Sequence, residues 1–165
     1  MIVLMMIRLL IDDDVVIDWK PIVNSTSQLN TIPSSVTGLI VSENSCNDLT
    51  EFDLNRFEML KSFEVGSSSL KNVRNLTMNG LNELVELSIG SGSLNAVENV
   101  IIGSDSLNSI SSLDFRPLSS VRRIEIGSRS LNNATTVTLD GLNSLESIVI
   151  GEQSLVSVRE YVLIE

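Results

Sequence analysis

Histidine is absent from this 165-residue chain, cysteine occurs once, and aromatic residues make up only 4%. Each absence excludes a class of chemistry. Without histidine there is no imidazole general base, no Ser–His or Cys–His nucleophile pair, and no use of the commonest metal ligand. The lone Cys46 excludes an intramolecular disulfide and a cysteine-based zinc site. Positive charge is also scarce: 11 Lys and Arg face 21 Asp and Glu, a net charge of −10. An acidic chain with few rings lacks phosphate-neutralising charge and stacking platforms, so nucleic acid is not an expected partner. No enzyme motif offsets these absences. The expectation is a protein that is not an enzyme and uses no cofactor or metal.

Long hydrophobic runs are missing too. The longest apolar stretch is Met1 to Ile11, interrupted by Arg8. About 20 apolar residues are needed to cross a bilayer, so no membrane span is expected. The stretch has no basic start and no small-residue cleavage site, and Asp12-Asp13-Asp14 follows at once. A buried strand or short helix is therefore preferred over a signal peptide, and the cytoplasm over the cell surface. The acid triplet lacks the spacing of a calcium loop and reads as a solvated turn.

What the chain has is aliphatic residues at a fixed period. Leu, Ile and Val supply 56 of the 165 residues. Segments beginning at Leu60, Leu84 and Leu145 share the pattern LxxIxIGxxSLxxVxxLxLxGLxx, one full copy of which runs from Leu60 up to Leu84. Gly66 and Gly90, Gly103 and Gly127, and Gly127 and Gly151 are each 24 apart, and Ser42 lies 24 before Gly66. Each repeat holds two short stretches with apolar residues at i and i+2, the spacing that puts both side chains on one face of a strand. The first inward positions are Leu39, Phe52, Phe63, Leu76, Leu87, Val100, Leu113, Ile124, Val137, Ile148 and Tyr161. β-Branched residues crowd these stretches, and Gly or Pro recurs about every dozen residues, so helices are not expected there.

Seven of the nine glycines fall just past a stretch: Gly66, Gly80, Gly90, Gly103, Gly127, Gly141 and Gly151. A sharp turn at each, using positive φ, is the expectation. Pro117 stands where Gly80 and Gly141 do and equally blocks strand extension. Ser-Leu then follows at Ser69-Leu70, Ser93-Leu94, Ser106-Leu107, Ser130-Leu131 and Ser154-Leu155. The leucine should be buried and the serine should satisfy the bent backbone beside it. Asn95, Asn108 and Asn132 come next, and stacked turns would align such polar side chains in a ladder along one edge.

The regular steps between inward positions alternate 13 and 11, but Leu87 to Val100 and Val100 to Leu113 are both 13. Val100 to Gly103 copies the IG strand, yet its step from Leu87 is the one that reaches the opposite sheet. So short a step cannot close a full turn. Val100 to Ile102 is therefore predicted to lie opposite Leu87 to Ile89, with every later IG strand on that second face.

The LxxIxI strands, the Asn or Ser after them and the 24-residue period resemble leucine-rich repeats. Ile32-Pro33 and Leu39 to Asn44 resemble the LxxIPxxLxxLxVxxNxL form, and IGxxSL is similar to the IGxxAF element of the BspA-like subclass. The cysteine usual after that element is absent, its place matched by Gly80-Leu81 and Gly141-Leu142. The resemblance covers Leu29 to Glu165 and implies an interaction scaffold with no catalytic residues, of a kind found on bacterial and unicellular eukaryotic surfaces. Residues 1–28 are then an N-terminal non-repeat or capping segment, and residues 29–165 a leucine-rich-repeat-like solenoid. The expected fold is all-β: a parallel β-solenoid of 24-residue turns with two facing sheets.

Three chemical readings fail. The sequons at Asn24, Asn75 and Asn133 number no more than the roughly three that 15 Asn, 26 Ser and 8 Thr give by chance. Thr135, Thr136 and Thr138 face Ser111, Ser112 and Asp114 one turn earlier, so no threonine ladder for ice forms. A carbohydrate lyase would need clustered catalytic charges. The outward charges of the IG strands are Lys61, Glu64, Glu86, Arg122, Arg123, Glu125 and Glu146, mixed in sign and irregular in spacing. They form the candidate face for a protein partner of unknown identity. The alternative is a structural or adhesive segment of a longer surface array. The run from Tyr161 to Ile164, in mid-repeat and unblunted, favours such a segment or self-association through that edge.

Overall fold

The structure, a computed structural model, describes residues 20–162. The expectations of a buried strand or helix at Met1 to Ile11 and of a solvated turn at Asp12 to Asp14 lie outside these residues, as does the end of the apolar run at Leu163 and Ile164. Strand β1 (Ile22–Val23) and a six-residue helix α1 (Thr26–Thr31) precede the repeats. Ser25 caps the helix, its hydroxyl accepting the Gln28 N–H at 3.4 Å. Then come β2 (Gly38–Val41), β3 (Glu51–Asp53), β4 (Ser62–Val65), β5 (Asn75–Met78), β6 (Glu86–Ile89) and β7 (Asn99–Ile102). They continue with β8 (Ser112–Asp114), β9 (Arg123–Ile126), β10 (Thr136–Thr138), β11 (Ser147–Ile150) and β12 (Glu160–Val162). Every strand pair is parallel, as expected of a β-solenoid.

One face is a continuous five-stranded sheet B, in the order β3-β5-β7-β9-β11. The opposite face is divided into sheet A (β1-β2-β4-β6) and sheet C (β8-β10-β12). Inward residues of both faces fill one apolar column, from Val23 and Leu39 through Phe63, Leu76, Val100 and Ile124 to Val137. The Phe52 and Phe63 rings meet across it with centroids 5.7 Å apart. A single coil cannot bury these side chains alone, so stacking and folding are the same event.

The predicted change of face occurs. Val100 pairs with Leu76, not with Leu87, and the later IG strands β9 and β11 continue sheet B. The interval from Leu87 to Leu113 is consequently longer than the regular one from Phe63 to Leu87, and β6 and β8 are not hydrogen-bonded to each other. Keeping sheet B in register through the two long half-turns thus divides the other face.

The long corners after the IG strands are built differently from expectation. Gly66 and Gly90 are not in the positive-φ region. They are glycine because a Cβ would lie 2.6 Å from the backbone nitrogen of Glu43 or Ser67 in the preceding coil. Gly127 and Gly151 meet Ser104 and Ser128 in the same way. Of the seven predicted glycines only Gly80 and Gly141, at the short corners with φ of 71° and 72°, use glycine's left-handed freedom.

In the long corners most left-handed residues are not glycines, Gly92 with φ of 70° being the exception. Ser68 and Leu70 have φ of 60° and 52°, and Arg129 and Leu131 both 56°. A left-handed leucine costs about 1–2 kcal/mol. Complete burial of Leu70, Leu94, Leu107 and Leu131 contributes about 1.5–3 kcal/mol each, enough to hold the conformation. The serine before each leucine is buried and bonded twice. Ser69 Oγ accepts the Ser45 N–H at 3.1 Å and donates to Ser42 O at 2.6 Å. Ser130 Oγ accepts from Ser106 N–H at 3.2 Å and donates to Gly103 O at 2.7 Å. The expected serine ladder therefore exists, but as two columns: Ser45, Ser69 and Ser93 at one corner, and Ser106, Ser130 and Ser154 at the other.

Burial follows the predicted register with two departures. Phe63, Leu76, Ile124 and Val137 are buried as expected. Leu87 is only partly buried and Ile148 is exposed. Neither reflects a slipped register, because Leu87 aligns with Phe63 and Ile148 with Ile124. Leu87 lies on the border strand of sheet A, and no described strand pairs with the far side of β11.

Candidate functional site

With five strands, sheet B presents the widest unbroken sheet face among the described residues. Alternation sends residues 51, 75, 99, 123 and 147 outward in one row, and 53, 77, 101, 125 and 149 in the next. Their identities differ from level to level. The first row reads Glu51, Asn75, Asn99, Arg123, Ser147, and the second Asp53, Thr77, Ile101, Glu125, Val149. Backbone pairing fixes where these side chains sit, and the repeat pattern leaves their chemistry free.

The first row is internally bonded. Asn99 Nδ2 donates to Asn75 Oδ1 at 2.9 Å, and Asn75 Nδ2 donates to Glu51 Oε1 at 3.3 Å. This orients the amides along the stack. Beside them lies an open depression of about 450 Å³, lined by Glu51, Phe52, Asp53, Asn75, Thr77, Asn99, Ile101 and Arg123. Phe52 is buried beneath it, and Ile101, 39% exposed, is its exposed apolar side chain.

The sequence-predicted charges do not share one surface. Arg122, Arg123, Glu125 and Glu146 belong to sheet B or its edge, whereas Lys61, Glu64 and Glu86 belong to sheet A on the other side. Their common feature is an outward position on an IG strand, and IG strands change face after β6. On sheet B the charges pair with one another. Arg122 bonds Glu146 at 2.5 Å and Arg123 bonds Glu125 at 3.1 Å. The Glu146 carboxylate pushes the Arg122 guanidinium pKa up further, which leaves it charged throughout the working pH range. Exposed pairs like these contribute little to stability, because water screens them.

The Asn75–Asn99 ladder is not among the residues that charge patterning singles out. Asn75 and Asn99 stand 24 apart at outward positions, and that spacing is its signal in the sequence. Among the described residues no three metal-ligating side chains converge, and no helix is long and apolar enough to cross a membrane. Comparison with protein-family models, curated proteins and solved structures gives no match.

Proposed function

We propose that this chain is a leucine-rich-repeat-like scaffold of the BspA-like kind that binds a protein partner, without catalysis, through the outer face of sheet B. The observation carrying this reading is the continuity of that face. Five strands hold two rows of chemically varied side chains in fixed register over a core that needs none of them. The IGxxSL pattern supports the repeat class, and the lack of histidine supports binding over chemistry. The test is capture of partners by the full chain and two variants. Asn75→Lys with Ile101→Lys alters sheet B, and Glu64→Lys alters sheet A. Partners lost by the first and kept by the second support the reading. Partners kept by both variants contradict it.

A structural or adhesive role is the second reading, favoured by β11. Ile148, Val149 and Ile150 are 40%, 44% and 50% exposed, and no described strand pairs with their far side. Long apolar edges template pairing with another chain. Under this reading the protein self-associates in sedimentation, and Val149→Lys weakens the association. A wild-type chain that stays monomeric at high concentration rules it out.

A further inference from the structure

We propose that the border between β6 and β8 is a built-in hinge, at which two rigid stacks flex against each other on the continuous leaf of sheet B. The hydrogen-bond pattern carries the inference. On sheet A, outward residues and the corner glycines direct their N–H groups to the preceding coil: Gly66 donates to Val41 and Gly90 to Val65. Inward residues of a parallel strand point the other way, as Phe115 does to Thr138 on sheet C. Leu87 and Ile89 therefore aim their backbone groups from β6 toward β8, and Ser112 and Asp114 aim theirs back. No ladder joins the two strands. Opening this face breaks no strand-to-strand hydrogen bond, only corner bonds such as that from the Gly80 N–H to Ser106 Oγ at 2.9 Å, whereas bending between any two other coils from β2 to β12 would break a ladder on both faces.

The sequence treats β8 as the beginning of a sheet. At β3, the first strand of sheet B, Asp53 Oδ1 accepts the Asn55 N–H at 2.8 Å. At β8, the first strand of sheet C, Asp114 Oδ1 accepts the Arg116 N–H at 2.9 Å. An aspartate at the same place in each strand thus satisfies an N–H near the sheet's leading edge. An accident of packing would not carry the same cap as a true first strand. The partial exposure of Leu87 and Ile89 agrees, since a closed interface would have buried them.

Spin labels on the full chain test this. The pair Ser88→Cys and Ser112→Cys spans the border at outward positions. The control pairs are Glu64→Cys with Ser88→Cys and Ser112→Cys with Thr136→Cys, which are register partners within sheets A and C. Cys46 is buried and stays unlabelled. The expected result is a distance distribution broader across the border than for either control. Equal widths for all three pairs overturn the hinge.

Discussion

Asp114 accepts the backbone N–H of Arg116 at 2.9 Å and its guanidinium at 2.6 Å, closing a ring of bonds at the leading edge of β8. Hydrogen bonds from Arg116 hold the Asp114 carboxyl below its ordinary pKa. A lowered carboxyl pKa contributes stability that is present above the unfolded value and lost as pH falls through the folded one. The Arg116 amide should therefore be unaffected by pH until below about 3.9, and then lose its protection. Its NMR titration checks this, and Asp114→Asn should weaken the transition. The effect on global stability is small, because the pair is largely exposed and screened by water.

Ser130 tests the corner ladders. Ser130→Ala removes the acceptor for the Ser106 N–H and the donor to Gly103 O in a buried place. Each orphaned group costs about 1–3 kcal/mol, so denaturant melts should show a loss at the upper end of that range or beyond. A loss below about 0.5 kcal/mol, the level of an ordinary surface change, would mean the serines do not hold the corners.

Gly127 and Gly80 separate the two uses of glycine. In Gly127→Ala the new methyl meets the Ser104 backbone, which cannot rotate away. In Gly80→Ala it meets open space, and the only cost is φ of 71°. Gly80→Ala should cost about 1–2 kcal/mol and Gly127→Ala more. Thermal melts that reverse this order would contradict the close-approach argument.

Leu76 and Leu87 rank the core against its border. Leu76→Ala should cost about 2–5 kcal/mol, because Leu76 is buried inside an unbroken sheet. Leu87→Ala should cost less, because its side chain already has partial contact with water. Equal losses in denaturant melts would show that the divided face is tighter than its burial indicates.

The strands are legible in the sequence because the period is rigid. The inward positions from Leu39 through Tyr161 predict a strand each, and each forms. The change of face at Val100 is legible from chain length alone, since the step from Leu87 reaches only the opposite sheet. The division between β6 and β8 follows from the same step, but it appears only when strands on both faces are laid in register. Glycine's role at Gly66 is not legible, because a repeat pattern reports where a residue recurs, not whether φ or a neighbouring coil demands it. The candidate surface is half legible. Arg122, Arg123, Glu125 and Glu146 share sheet B, while Lys61, Glu64 and Glu86 are joined to them by motif rather than by position.

The proposed binding surface requires sheet B to run unbroken through the irregular step. Cysteine pairs on the full chain measure this directly, and the buried Cys46, its thiol pKa pushed up by burial, does not compete. Thr77 and Ile101 are register partners on β5 and β7. Neighbouring strands lie about 4.8 Å apart, within the Cα range that a disulfide spans. Thr77→Cys with Ile101→Cys should crosslink rapidly under mild oxidation, and Ser88→Cys with Ile101→Cys should not. Crosslinking of the second pair in preference to the first would place Val100 beside Leu87 and contradict the continuity of sheet B.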